Sequence, residues 1–389
     1  MHYVGIDIAK RKHVVFTLDG EGEPVGKALR ISNDREGFDA LLAHLSSLEA
    51  TISVGLEATG HYWLALYSVL TEAEYEVIVL NPLQVQAYRK SGIRKRKNDR
   101  YDAYWIADYI RISRRQQSWA EVQPDLLQLR ELTRFRASLS QQVGDCKRRI
   151  IAILDRVFPE YETLFSSVFI QTSRQLLAEA LTPEEFADFD LSELSQLLRQ
   201  TSRGRHGLAK AEEIQALAER SVGVGFLGDA LRVQLTCLLQ QLALLEQQLE
   251  ELAVQIEALM DRLPQYITTI PGVGPVTGAT ILAEIGDVQR FPAPEKLVAF
   301  AGIDPVVYQT GQFEASNTRM SKRGSPYLRH ALWQAAFAAS RFDPQLRDYY
   351  QRKRAEGKAH GTALGAVCRK LLHRIYIILK EERPYVTRD

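Results

Sequence analysis

Four carboxylates stand where acidic side chains are out of place. Asp7 interrupts the apolar run Tyr3-Val4-Gly5-Ile6-Asp7-Ile8, which reads as a buried strand, and Glu57 closes a second such run, Ile52 to Glu57, just before the turn residues Thr59-Gly60. Asp99 and Asp102 lie three apart in a helical stretch whose face continues through Ile106 and Ile110. Carboxylates on core-facing stripes cost free energy unless positive charge meets them. A pair of Mg²⁺ ions would do so, because hard divalent ions take oxygen ligands and can clamp both sides of a phosphodiester. Each acid alone has an ordinary reading: a partnered strand residue, a solvated strand end, favourable charge at a helix start. Their order along the chain, first strand, later strand end, following helix, is what points to one shared metal site.

The elements that must position them read as an α/β domain. Strands are predicted at 3–8, 13–18, 25–31, 52–57 and 75–80. The first three, joined by short polar turns such as Asp19-Gly20-Glu21-Gly22, predict an antiparallel meander. A helix capped by Asn33 and Glu36 turns Phe38, Leu41, Leu42 and Leu45 inward. A second helix, after the fourth strand, carries Trp63, Leu66, Tyr67 and Leu70, and the fifth strand ends at Asn81-Pro82. Three antiparallel strands followed by two strand–helix crossovers is the order of an RNase H-like sheet. In that sheet the first and fourth strands are neighbours, which sets Asp7 beside Glu57, with the helix of Asp99 and Asp102 closing the site.

Beyond it the chain reads as helical. Residues 124–158 form one long amphipathic pattern broken at Pro159, and 160–224 read as short helices with a Ser-Arg-Gly-Arg-His-Gly loop at 202–207. Leu231, Leu235, Leu238, Leu242, Leu245, Leu249, Leu252, Ile256, Leu259 and Leu263 then alternate in steps of four and three, the a/d seam of a coiled coil. Its regularity and acidic exterior favour a seam with a partner helix, either the 124–158 helix or one of a second protomer, and a homo-oligomer through the coil is expected. Pro264 ends it. Ile270-Pro271-Gly272-Val273-Gly274-Pro275 looks like a helix–hairpin–helix turn, in which Gly272 and Gly274 would let backbone N–H groups approach a phosphate. These breaks divide the chain into 1–118, 119–263 and 264–389.

Composition bounds the class. With 46% hydrophobic and 25% charged residues over 389 positions, the chain describes a soluble multidomain protein. No apolar run is long enough to span a bilayer and the first residues carry no signal-peptide pattern, so a cytoplasmic protein without membrane contact is expected. Cys146, Cys237 and Cys368 lack metal spacing. The net charge of +1 hides an uneven distribution: from Arg89 to Arg115 there are ten Lys/Arg against three acids, whereas 234–261 hold five acids and no base. Arg89, Lys90, Arg94, Lys95, Arg96 and Lys97 immediately precede the acidic helix, and Lys322, Arg323 and Arg329 lie in a basic loop before an apolar helix. Both segments suit contact with nucleic-acid phosphates.

At this point the chain resembles a known family. Gly5-Ile6-Asp7-Ile8-Ala9-Lys10, Glu57-Ala58-Thr59-Gly60, Asn81-Pro82 and Asp99-x-x-Asp102 are similar to the N-terminal domain of the DEDD transposases of insertion sequence 110. Ile270 to Gly274, Phe300-Ala301-Gly302-Ile303-Asp304-Pro305 and Met320-Ser321-Lys322-Arg323-Gly324 resemble that family's second domain. The resemblance implies a RuvC-like domain with Mg²⁺ on Asp7, Glu57, Asp99 and Asp102. It also implies a C-terminal transposase domain with a nucleophilic hydroxyl, and recombination of element ends with target DNA under a structured guide RNA encoded by the element, in a bacterial, nucleoid-associated setting. One departure stands out. Where the family pattern is Tyr-x-Ser-Gly, this chain has Tyr308-Gln309-Thr310-Gly311, so Thr310 would be the nucleophile, with the same hydroxyl but a hindering methyl at Cβ.

The leading expectation is therefore a metal-dependent DNA transposase and site-specific recombinase. A RuvC-like junction nuclease would need neither the long coil nor the second block of motifs. A transposase-derived nucleic-acid-binding protein that has lost activity is favoured by Thr310 alone.

Overall fold

Alternating apolar residues in the first sixty positions form three strands, β1 (His2–Asp7), β2 (Lys12–Leu18) and β3 (Leu29–Ser32). They are followed by α1 (Arg35–Ser46), β4 (Ile52–Glu57), α2 (Trp63–Glu72), β5 (Glu76–Leu80), α3 (Pro82–Ser91) and α4 (Asp99–Ser113). The structure, a computed structural model, describes residues 1–58, 60–80, 82–91, 99–113, 123–305, 309–310, 313–314 and 320–387, leaving out the side chains of 83, 84, 91, 99, 309, 310, 313 and 314. The five strands make one mixed sheet in the order β3-β2-β1-β4-β5, with β1 antiparallel to β2 and parallel to β4. This order is consistent with an RNase H-like domain.

Period-two alternation sends the strand side chains to opposite faces. Val4, Ile6, Val15, Val54 and Leu56 meet Phe38, Leu41 and Leu45 of α1 and Leu66 and Leu70 of α2 on one face. On the other, Ile78 and Leu80 meet Ile106, Tyr109 and Ile110 of α4, while Val14, Phe16 and Leu18 meet its Ala103 and Ala107. Two local expectations are corrected. The third strand begins at Leu29 rather than at 25: Val25 still donates to Thr17 O at 3.0 Å, but the chain leaves the sheet before rejoining it. Asp34, not Asn33, caps α1, accepting from Gly37 N at 2.9 Å, while Asn33 donates its side-chain amide to Lys10 O.

The chain divides into two compact units, Met1–Gln123 with Gly286–Ala293, and Pro124–Ile285 with Pro294–Asp389. The second is mostly helical. It contains α5 (Pro124–Val157), α6 (Gln171–Glu179), α7 (Pro183–Asp188), α8 (Leu191–Thr201), α9 (Leu208–Ala218), α10 (Gly228–Arg262), α11 (Pro275–Ile285) and α12 (Pro294–Ala301). The strands β6 (Gln309–Thr310) and β7 (Phe313–Glu314) pair antiparallel, and α13 (Pro326–Phe342), α14 (Pro344–Ala355) and α15 (His360–Glu381) follow.

The leucine seam finds its partner inside the chain. Leu231, Leu235, Leu238, Leu242 and Leu245 of α10 are buried in one cluster with Leu139, Cys146, Ile150 and Leu154 of α5. Arg262 pairs with Asp125 at one end, and Val224, just before α10, donates to Arg156 O at the other, so the two long helices run antiparallel. Helices α6 to α9 add Leu176, Phe186, Leu198 and Ile214 to the same core around Phe158 and Tyr161. Heptad spacing does not distinguish such a hairpin from an intermolecular coil, because both bury the same stripe. Leu245→Lys is accordingly expected to lower the stability of the helical body by about 3 kcal/mol, through a charge forced into a dry core, and not merely to dissociate an oligomer. A urea titration checks this: an unchanged unfolding midpoint would show that Leu245 is not held as described.

Polar contacts fix the C-terminal helices. Arg134 of α5 grips Glu284 of α11 with two hydrogen bonds, Nε to Oε1 at 2.6 Å and Nη2 to Oε2 at 3.0 Å, and its guanidinium also lies 5.1 Å from the Tyr327 ring centre. Gly272 has φ +87°, and a Cβ there would come within 2.8 Å of Ala338 in α13. That glycine is used for close helix packing, while the space beside Gly274 is open. No described helix is long and apolar enough to cross a membrane.

Candidate functional site

The parallel register of β1 and β4 pairs Ile6 with Leu56, which carries Asp7 and Glu57 side by side at the C-terminal ends of adjacent strands. Helix α4 then crosses the sheet at close range. Gly5 permits this, since a Cβ on it would lie 2.1 Å from Ala103 O and 2.4 Å from Ala107 N. The first turn of α4 is thereby brought to the strand ends. Asp99 opens the helix and Asp102 follows one turn along, where the macrodipole favours negative charge. The Asp99 side chain lies outside the described part of the structure.

Two of the four acids converge on one cation. Arg89, near the end of α3, places Nη2 2.9 Å from Glu57 Oε2 and Nη1 3.1 Å from Asp102 Oδ1. The neighbouring Tyr88 anchors α3 to α4: its hydroxyl donates to Asp108 Oδ2 at 2.6 Å, and its ring packs edge-on against Trp105 and at a tilt against Tyr109. Asp108 is buried and also accepts two bonds from Arg111, at 3.0 and 2.7 Å. Burial, and then the hydrogen bond to Asp108, push the Tyr88 phenol well above its usual range. The sequence singles out Asp108 only as one acid within a basic stretch. Its i, i+3, i+6 relation to Trp105 and Asp102 on a single helical face is the signal that could have linked it to α3.

These residues offer the oxygen donors that a hard divalent ion takes. Glu57 and Asp102 present carboxylate oxygens to a common positive charge, Asp7 stands beside Glu57, and the donor set is all oxygen. Among the described residues no three such side chains lie close enough together to hold a metal ion. Lys90 is exposed on α3, while Arg94, Lys95, Arg96 and Lys97 lie outside the described residues. Arg89, expected at a phosphate, has its guanidinium on Glu57 and Asp102.

In the helical unit, Thr310 ends β6 and pairs in register with Phe313 of β7; its side chain, with Tyr308, Gly311 and Ser316, lies outside the described part. The base of this segment is closed by a β-bridge between Pro305 and Met320 and by Ser321, which donates its amide to Asp304 O at 2.9 Å and its hydroxyl to Asp304 Oδ1. Lys322, at φ +52°, and Arg323 are exposed beyond this closure. Arg329 is turned to the backbone, with Nη1 3.3 Å from Gly324 O. A further basic cluster, missed in the sequence because its members are spread over two helices, surrounds Tyr349: Lys370 lies 4.6 Å, Arg352 5.2 Å and Lys353 5.6 Å from its ring centre.

A mixed sheet with acids at the ends of its inner strands, followed by a mostly helical body, is consistent with a DEDD, RNase H-like domain, and comparison with known proteins makes the class specific. Residues 4–159 match the family model for DEDD transposases of the IS110 type, described as a transposase, and residues 264–351 match that of the transposase IS116/IS110/IS902 family. The chain belongs to this family of insertion-sequence transposases. Over 98% of its length it is 27% identical to the transposase ascribed to the IS117 mini-circle of Streptomyces coelicolor, of which 95% is covered. It is also 27% identical to the 44.8 kDa protein of insertion element IS116 of Streptomyces clavuligerus, over 98% of this chain and 96% of that one. The pilin gene-inverting protein of Moraxella bovis is 24% identical, over 98% and 97% of the two chains. DEDD transposases are in general divalent-metal enzymes.

Proposed function

We propose that this protein is a metal-dependent DNA transposase and site-specific recombinase of an insertion sequence, cutting and rejoining element ends and target DNA. The observation that carries the reading is the convergence of Glu57 and Asp102 on one guanidinium at the C-terminal end of β4, beside Asp7 at the end of β1. Asp7, Glu57, Asp99 and Asp102 would hold two Mg²⁺ ions in a RuvC-like domain. When bound, Mg²⁺ supplies charge stabilisation at the phosphodiester and lowers the pKa of an attacking hydroxyl. The sheet and α4 hold the carboxylates in place, and the basic residues of 89–97 and of 322–329 orient the phosphate backbone. The domain limits 1–118, 119–263 and 264–389, drawn from breaks in the sequence pattern, a homo-oligomer through the coil, drawn from its heptads, and guidance by a structured RNA encoded with the element, drawn from the family resemblance, belong to the same proposal.

Thr310 takes the role of nucleophile. Its oxygen loses a proton and attacks a DNA phosphorus, one P–O bond to deoxyribose breaks, and the strand is held as a phosphothreonine ester. A free DNA hydroxyl then attacks the same phosphorus and releases the threonine. What supports the reading is that the backbone of Thr310 pairs β6 with β7, between the contacts of Asp304 and Ser321. The Cβ methyl slows attack and gives one specific reason for a second reading, a nucleic-acid-binding protein that has lost activity.

Labelled element-end DNA incubated with Mg²⁺ and the protein tests both. The wild type is expected to form an SDS-resistant adduct, and Thr310→Ala to lower its yield on the order of 10³-fold while DNA binding persists. Thr310→Ser should form as much or more. Adduct formation by Thr310→Ala would move the nucleophile elsewhere, with Ser316 and Ser321 next to examine. Failure of both the wild type and Thr310→Ser would support the inactive reading.

A further inference from the structure

Besides the phosphate contact proposed for it above, Arg89 makes two direct contacts with the acid site. Each terminal nitrogen of its guanidinium takes one carboxylate, Glu57 from β4 and Asp102 from α4. The three side chains are only 26%, 17% and 18% exposed, so their charges are weakly screened and the two acids need a counter-charge. A divalent ion needs lone pairs of the same two carboxylates, and its charge would repel the guanidinium. Arg89 and the ion therefore compete for one place.

The arginine is also incompletely satisfied there. Its Nε is buried without a hydrogen-bond partner among the described residues. An arginine fork leaving a buried donor unpaired gives up part of what the ion pair gains. Helix α3 does not depend on that pair, because Tyr88 holds it to α4 through Asp108, Trp105 and Tyr109. The Arg89 side chain can swing out while its backbone stays. Outside the acid site, the group that best suits a planar guanidinium is a phosphodiester, which takes the same two-pronged hydrogen bonding.

We propose that Arg89 is a built-in counter-cation that keeps a divalent ion out of the acid site until a nucleic-acid phosphate draws its guanidinium away. The inference rests on the reading of the acids as a metal site. It makes metal and nucleic acid bind with positive coupling: each lowers the cost of displacing Arg89 for the other. It also turns the arginine from a competitor of the metal before DNA arrives into a phosphate contact afterwards.

Calorimetric titration of Mn²⁺ into the full-length protein tests this without any activity assay. Arg89→Gln should bind Mn²⁺ on the order of tenfold more tightly than the wild type, since no internal cation must be displaced. Arg89→Lys, which keeps the charge but cannot fork between two carboxylates, should fall between them and also serves if the glutamine variant does not fold. Added duplex DNA should tighten Mn²⁺ binding to the wild type and leave Arg89→Gln unchanged. Equal Mn²⁺ affinity in wild type and Arg89→Gln would overturn the counter-cation while leaving the metal site standing. No Mn²⁺ binding to either, with no change on Asp102→Asn, would overturn the metal reading and this inference with it.

Discussion

Alanine at Asp7, Glu57, Asp99 or Asp102 should each reduce strand cleavage and recombination of element-end DNA on the order of 10³-fold or more, with circular dichroism unchanged. The effect is large because each carboxylate is proposed to hold an ion that stabilises charge developing on the transferring phosphate. The stability consequence differs by position. Four acids without a counter-ion would repel, and removing one would stabilise the fold in EDTA. The structure reverses that sign for two of them: Glu57 and Asp102 are met by Arg89 at 2.9 and 3.1 Å. Glu57→Ala or Asp102→Ala leaves the guanidinium half-paired, and a loss of about 1 kcal/mol is expected after allowance for solvent screening. Thermal melts in EDTA read this directly. Full recombination by any one of the alanine variants would remove that residue from the metal site.

The largest effect on stability is expected at Asp343, far in sequence from any motif. It lies at the junction of α13 and α14 with its side chain fully buried. One oxygen caps α14, accepting from Leu346 N at 2.9 Å; the other accepts from Arg374 Nη1 at 2.9 Å and from the Tyr385 hydroxyl. Burial, and then the bond to Asp343, push the Tyr385 phenol up to about 12. Asp343→Ala uncaps the helix and strands the Arg374 charge in a site where its side chain is only 15% exposed. About 3–5 kcal/mol of the helical body's stability should be lost. Asp343→Asn keeps an oxygen for the cap but not the charge, and should lose about half as much. Urea midpoints of the two variants rank them; equal midpoints would mean that the cap contributes nothing beyond the charge pairing, and a wild-type midpoint for Asp343→Asn that the charge pairing contributes nothing.

The strands around Asp7 and Glu57 were legible in the chain because their patterns are local. Apolar runs closed by turn residues specify strands by sterics and burial alone, and a strand-end acid is conspicuous against them. The long helices were legible for the same reason, ten apolar residues in steps of four and three leaving no other regular structure that buries them all. The partner of that stripe was not. Whether Leu242 meets a second copy or α5 depends on the antiparallel return of the chain through α6 to α9, and short polar helices carry little periodic signal. Arg89 shows the same limit at the site. Read along the chain, it is the first cation of a basic run and belongs with Lys90. Only the crossing of α3 and α4 over the ends of β1 and β4 brings it onto Glu57, 32 residues earlier in the chain. Secondary structure and the presence of the acids were thus determined by local sequence, whereas what neutralises those acids was decided by tertiary packing, because a charge takes the nearest partner in space and the sequence orders residues only along a line.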